Sequence, residues 1–260
     1  MEINYDKNGV PILSREQLDK KAILFLSNFD ANCLIIPQAT PLASICQFLS
    51  DERDLQFYFD YDLGNTKEGY KVYGRFHVKK NAIYIDQSIN WDDPRFSFVL
   101  AHEIAHYILH RKIKLKVIQN ESEHEISDTK RHFIINTLNK NNPRDWIEWQ
   151  ANKYASSLLM PTNTVPIAVK KIQNAIGTRR VGLIYLDHQS GNIKDFDEIQ
   201  TALAALYETS KISIKIRLSE LKLLLEINKG KEHNSSEITH IKNSIGHLFD
   251  DMIDKYKKHG

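Results

Sequence analysis

The sequence predicts an α+β fold: a small antiparallel sheet, two buried helices and a mainly helical C-terminal part. Three observations carry this reading. Apolar spacing is helical up to Leu49, changes to aromatic-rich strand segments between Leu55 and Asp86, and returns to helical spacing from Arg95. The helix that opens there is apolar around much of its circumference, yet it holds His102, Glu103 and His106. A second apolar helix carries Glu148 and Asn152 on the same face as Ala151 and Ala155.

The elements follow in order. Ser14–Phe29 reads as a capped amphipathic helix, with Leu18, Ala22, Phe25, Leu26 and Phe29 recurring at helical spacing. Pro41–Leu49 reads as a shorter one. Leu55–Tyr61 is a strand whose Phe57, Tyr58, Phe59 and Tyr61 are expected to pack the sheet. Tyr70–Val78 and Ala82–Asp86 form a hairpin around Lys79-Lys80-Asn81, which completes three antiparallel strands. Asp92-Asp93-Pro94 supplies a cap and a first-turn proline for the helix Arg95–Lys112. Residues 114–142 are a polar excursion with one short helix at 130–138. Arg144–Met160 is the second buried helix, stopped by Pro161. Val181–Asp187 reads as a strand, and Phe196–Tyr207, Lys211–Asn228 and Ser236–Lys257 as helices. The division is placed at 1–165 and 166–260.

Composition narrows the function classes. With 42% hydrophobic and 26% charged residues the chain is not broadly disordered, and a net charge of +2 gives no general mandate for nucleic acid. The N-terminus has no signal-like pattern, and no apolar run approaches the roughly 20 residues of a membrane span. A cytoplasmic protein with no membrane partner is expected. Two cysteines, Cys33 and Cys46, are too few for a disulfide framework and are expected to be buried thiols. A thiol cap holding a metal site inactive stays open.

His102-Glu103-Ile104-Ala105-His106 is an HExxH motif. Residues four apart share one helical face, so both imidazoles can reach one zinc ion. Glu103 is then angled towards the open coordination position, where it can take a proton from the attacking water and deliver it to a leaving amine. A chance match is expected about once in 40 such chains, so the buried-helix context matters. Zinc needs a third protein ligand. His110 lacks the spacing of a third histidine and is read as a non-ligand. Glu148 is the better candidate, because a carboxylate on an apolar helix face needs a partner; a surface glutamate favouring the helix dipole is the alternative. Asn152, one turn on, could hold a ligand imidazole from behind.

HEIAHYILH (His102–His110) followed by EWQANKYASSLLMP (Glu148–Pro161) resembles the ImmA/IrrE zinc metallopeptidases. The segment SKISIKIRLSELKLL (Ser210–Leu225) is similar to one the family carries downstream. Gln150 stands where the family often has a second Glu, and Tyr154 where Phe is usual. The resemblance implies a zincin-like domain, with His102, His106 and Glu148 as Zn2+ ligands and Glu103 as the general base. It also implies a substrate: a helix-turn-helix, phage-repressor-like regulator cut at one site to derepress mobile-element, prophage or stress and defence genes. Such a linker would bind extended, with Tyr70–Val78 a candidate sheet edge.

Two other readings stand beside it. Thr201–Leu225 could be a helix-turn-helix that binds DNA as activator or ligand, with Lys211, Lys215 and Arg217 as its contacts. Alternatively, the zinc module could sequester the repressor without cutting it. Tyr70, Tyr73, Tyr107, Tyr154, His77, His124, His132 and His188 are further candidates for stabilising an oxyanion, each more simply read as core or surface.

Overall fold

Ser14 begins the first helix through a reciprocal cap. The Gln17 amide donates to Ser14 Oγ at 3.3 Å, and the Ser14 amide to Gln17 Oε1 at 2.7 Å. In this computed structural model the described residues are 4–5, 10–66, 69–93, 95–113, 125–129, 143–178 and 180–227. They divide into two compact units, Met1–Phe29 with Thr40–Leu159, and Asp30–Ala39 with Met160–Gly260.

Among the described residues the first unit holds two sheets and four α-helices. Strands β1 (Asn4–Tyr5) and β2 (Pro11–Ile12) pair antiparallel, and α1 (Arg15–Phe29) and α2 (Leu42–Arg53) follow. Strands β3 (Gln56–Tyr61), β4 (Val72–His77), β5 (Ala82–Asp86) and β6 (Glu125–Thr129) form one sheet in the order β3-β5-β4-β6. Helix α3 (Phe96–His110) packs on β4 and β5, and α4 (Pro143–Leu159) packs on α3 and α1. The expected aspartate cap is not formed: the residue at the cap of α3 is Arg95, which makes no side-chain cap bond. Asp93 Oδ1 instead accepts from the Arg95 amide at 2.8 Å in the turn before the helix; Pro94 lies outside the described residues.

The sheet departs from the three antiparallel strands expected. The β4–β5 hairpin is present, but β3 runs parallel to β5. The loop after β3 carries the chain over to β4, which lies on the far side of β5. The fourth strand comes from the polar excursion: β6 pairs antiparallel with β4, opposing Gly74 with Asp128 across a register shift between Val72 and Gly74. The expected edge strand Tyr70–Val78 is therefore internal, flanked by β5 and β6. The aromatic strand β3 is one edge and β6 is the other. Tyr58 stacks on Tyr84 and Phe59 leans on Trp91 and Phe96, yet Tyr58, Phe59 and Tyr61 stay 45%, 38% and 50% exposed. The helices expected at 130–138 and 236–257 lie outside the described residues.

Asp86, at the end of β5, is a buried charge that ties the β3–β4 loop to the sheet. It accepts from the Leu63 amide at 2.8 Å and the Ser88 amide at 2.9 Å, and pairs with Lys71 at 2.8 Å. Burial pushes its carboxyl up, but the bonds from Lys71, Ser88 and Leu63 outweigh burial and hold it below the ordinary value. A depressed carboxyl stabilises the fold above the unfolded pKa, about 4, and that stability is lost as pH falls through the folded value. Asp86→Asn is thus expected to lose stability less steeply than wild type below about pH 4, by up to about 1.4 kcal/mol per pH unit. Equal slopes in urea titrations across that range would exclude this role.

The second unit holds a short 3₁₀ helix (Ala31–Leu34), α5 (Val165–Ile176), β7 (Ile184–Leu186), α6 (Ser190–Leu206), α7 (Lys211–Glu220) and β8 (Leu224–Glu226). Helix α5 was not expected from the sequence, although Pro166 in its first turn and Gly177 after its end, at φ 71°, are both ordinary helix punctuation. Helix α6 starts six residues earlier than expected, and α7 stops eight residues earlier than expected. Lys222, at φ 58°, turns the chain out of helix, and Leu224–Glu226 forms a strand parallel to β7. A short apolar run serves a buried strand as well as a buried helix. Among the described residues, no helix is long and apolar enough to cross a membrane.

Candidate metal centre

Helices α3 and α4 bring three ligand atoms to one point. His102 Nε2 lies 2.7 Å from His106 Nε2 and 3.2 Å from Glu148 Oε2, and His106 Nε2 lies 3.5 Å from the same oxygen. The two histidines are fully buried and Glu148 is 2% exposed. Ala151 and Ala155 on α4 are 0% exposed, and side chains this small let the two helices approach closely. Burial pushes the Glu148 carboxyl up, but His106 and His102 outweigh it and hold it well below the usual range. It is therefore ionised, as a ligand must be. Two imidazole nitrogens and one carboxylate oxygen fit a divalent metal and leave one tetrahedral position open.

The surrounding residues orient these ligands. His102 Nδ1 is 2.9 Å from Asn152 Oδ1, so the amide oxygen accepts from the ring nitrogen that faces away from the metal. Replacing Asn152 with Leu is expected to lower metal affinity about 10–100-fold in competition with a chelator. An unchanged affinity would show that the ring is held by packing alone.

Glu103 is fully buried and packs against β4 at Gly74. A Cβ at position 74 would sit 2.6 Å from Glu103 Oε1, 2.9 Å from its Cγ and 2.9 Å from Val99 Cγ1. The absence of a side chain at Gly74 is what allows the carboxylate to lie there. Sequence reasoning gave no weight to this glycine, although a glycine inside a strand is a signal of close approach. It also left His110 without a role. His110 is 1% exposed, 3.0 Å from His106 through facing Nδ1 atoms, and its Nε2 is 3.3 Å from Gln150 Oε1. Burial, assisted by His106, pushes its pKa down to about 3, so it is neutral.

The remaining candidates have other surroundings. Tyr154 Oη is buried with no hydrogen-bond partner among the described residues, and burial pushes its hydroxyl pKa up. Tyr107 packs edge-on to Phe76 beneath Arg111, Tyr73 lies under Arg95, and Tyr70 is exposed. His77 accepts from the Lys80 amide at 3.3 Å in the β4–β5 turn, His188 is exposed, and His124 and His132 lie outside the described residues. Cys33 and Cys46 are buried, and burial raises both thiols, Cys46 to about 12. Neither is poised as a thiolate.

The three cations considered for DNA are engaged within the second unit. Arg217 is 1% exposed, and it donates to the Met160 carbonyl at 2.9 Å and Thr162 Oγ1 at 3.0 Å. A buried guanidinium on those acceptors is a brace for the chain after α4, not a phosphate contact. Lys211 pairs with Asp197 at 2.8 Å, and Lys215 pairs with Glu226.

No curated protein matches the chain. A solved Mycobacterium tuberculosis transcriptional regulator is similar to it at a TM-score of 0.47 and 13% identity. That likeness covers 83% of this chain and 58% of the regulator, so the chain spans less than two thirds of that protein's length. The model of the IrrE N-terminal-like peptidase domain matches residues 61–219, which takes in β4, β5 and β6, both site helices, α5, α6 and all but the last residue of α7. With the match covering more than half of the sequence, the chain belongs to the IrrE N-terminal-like peptidase family, as its paired helices suggested.

Proposed function

We propose that this protein is a zinc-dependent endopeptidase that makes one cut in a helix-turn-helix transcriptional repressor and so derepresses the genes it controls. The observation that carries the reading is the convergence of His102, His106 and Glu148, with Glu103 buried one residue from the first ligand. A purely structural zinc site is closed by four ligands and needs no base. Here three ligands and an adjacent carboxylate suit hydrolysis.

His102, His106 and Glu148 would hold the zinc, which would supply Lewis acidity to the reacting groups. The protein's own residues supply the rest. Glu103 takes the proton of the attacking water and returns it to the amine that leaves. Asn152 fixes the ring of His102, and the buried setting strengthens the electrostatic interaction of each group with the developing charge. The repressor as substrate rests on the family resemblance and on the logic of dimeric operators. One cut between the DNA-binding and oligomerising halves removes simultaneous engagement of two half-sites.

The test is to incubate the zinc-loaded protein with the helix-turn-helix repressor encoded beside its gene, with and without chelator. A single zinc-dependent cut is the expected result. Repressor release without any cut would favour sequestration, and an intact, still operator-bound repressor would remove it as the substrate.

A further inference from the structure

Of the two ligand histidines, His106 has the longer connection. Its Nδ1 meets His110 Nδ1 at 3.0 Å, and His110 Nε2 meets Gln150 Oε1 at 3.3 Å. Gln150 Nε2 then donates to the Pro11 carbonyl at 2.6 Å, and Trp146 Nε1 donates to the same oxygen at 3.2 Å. His106, His110 and Gln150 are each no more than 1% exposed. Pro11 belongs to β2, and the neighbouring Val10, 0% exposed, packs in a small cluster with Ile113, Ile147 and Trp146. The N-terminal strand pair is thus held on the C-terminal end of α3 and the start of α4, at the end of this chain of bonds.

The chain has only one possible direction. The Nε2 of His106 faces Glu148 and His102, so a metal there leaves the hydrogen on Nδ1. That hydrogen is donated to His110 Nδ1, which must offer a lone pair, and His110 then carries its own hydrogen on Nε2. Gln150 accepts it on its amide oxygen and donates from its amide nitrogen to Pro11. Each of these three links has one donor and one acceptor. Glutamine is the residue that can both accept from an imidazole and donate to a carbonyl here. An ionised glutamate could do only the first.

We propose that His110 and Gln150 are positioning residues that fix the His106 ring for the metal and couple metal occupancy to docking of the N-terminal strand pair. This rests on the reading of His106 as a ligand. It adds that the N-terminal strands are part of the metal site's support. Metal binding fixes the hydrogen on His106, orders the chain down to Pro11, and tightens the strand pair. Loss of the strand pair loosens Gln150, His110 and the ligand ring in turn.

Two substitutions at one position separate the halves of the chain. Gln150→Met keeps the volume and removes both bonds, whereas Gln150→Glu keeps the acceptor for His110 and removes the donor to Pro11. The measurements are zinc affinity, by competition with a chromogenic chelator, and amide hydrogen exchange at Val10, Ile12 and Leu13 with and without zinc. In wild type, zinc is expected to slow exchange at those amides. Gln150→Met is expected to bind zinc about 10–100-fold more weakly and to lose the slowing. Gln150→Glu is expected to lose the slowing too, yet to bind zinc more tightly than Gln150→Met because it keeps the acceptor for His110. A packing role alone would not give this split. The proposal is overturned if Gln150→Met retains wild-type affinity, or if wild-type exchange is indifferent to bound zinc. If wild type binds no zinc, the metallopeptidase reading falls as well, which distinguishes the two failures.

Discussion

Glu103→Gln is expected to lower the rate of the proposed peptide-bond cleavage about 10²- to 10⁴-fold while the metal binds as in wild type. The amide matches the carboxylate in shape, so the buried site keeps its packing, but it cannot take a proton from water. Glu103 is not one of the three converging ligands, so metal affinity has no reason to change. The measurement is single-turnover cutting beside zinc content. A variant that cuts like wild type would mean that another group is the base. One that loses zinc would mean that Glu103 supports the metal rather than the proton transfer.

Gly74→Ala is expected to be nearly as damaging, although the substitution adds only a methyl group on a strand. Contacts of 2.6 and 2.9 Å with Glu103 and Val99 cannot stand, so either the Glu103 side chain swings aside or α3 lifts from β4. Overpacking of this kind costs about 1–3 kcal/mol of stability. The larger effect falls on chemistry, because a displacement of about 1 Å in a reacting group can cost about 10²-fold in rate. Zinc binding is expected to persist, since His102, His106 and Glu148 do not touch β4 through that methyl. Full activity in Gly74→Ala would show that the carboxylate works from a position other than the one it occupies against β4.

Much of the site was legible because its signals are local. A four-residue histidine spacing on an apolar helix, and a carboxylate among alanines on a second, each lie within a few turns of one element. What remained hidden depends on which elements meet. Gly74 reads as an ordinary strand residue until β4 is known to lie under Glu103. His110 and Gln150 sit on different helices, and their joint role requires the packing of α3 on α4 and the return of Pro11 to the same place. The parallel pairing of β3 with β5 was invisible for the same reason, since strand direction is set by the connection and not by the strand's own residues. Strand β6 gave little signal of its own. Glu125-Ile126-Ser127-Asp128-Thr129 has one apolar residue, and polar sequence of that kind becomes a strand only when a neighbour supplies the ladder. In the second unit, the leucine run after Lys222 was read as helix because periodicity cannot divide so short an apolar stretch.

The placement of β6 sets a condition on any peptide that reaches this centre. The strand that touches Glu103 is β4, and its outer flank is already hydrogen-bonded to the chain's own backbone from Val72 to His77. An extended segment that pairs along this flank must either exchange with β6 or add beyond it, one strand spacing of ~4.8 Å farther from the carboxylate. Exchange makes entry a competition between two strands for one ladder, and in such a contest a tethered occupant has a high effective concentration. A free short peptide competes poorly on those terms. A segment delivered by a partner that also holds the enzyme elsewhere competes well, so discrimination can reside in the contest for the ladder as much as in the residues around the scissile bond.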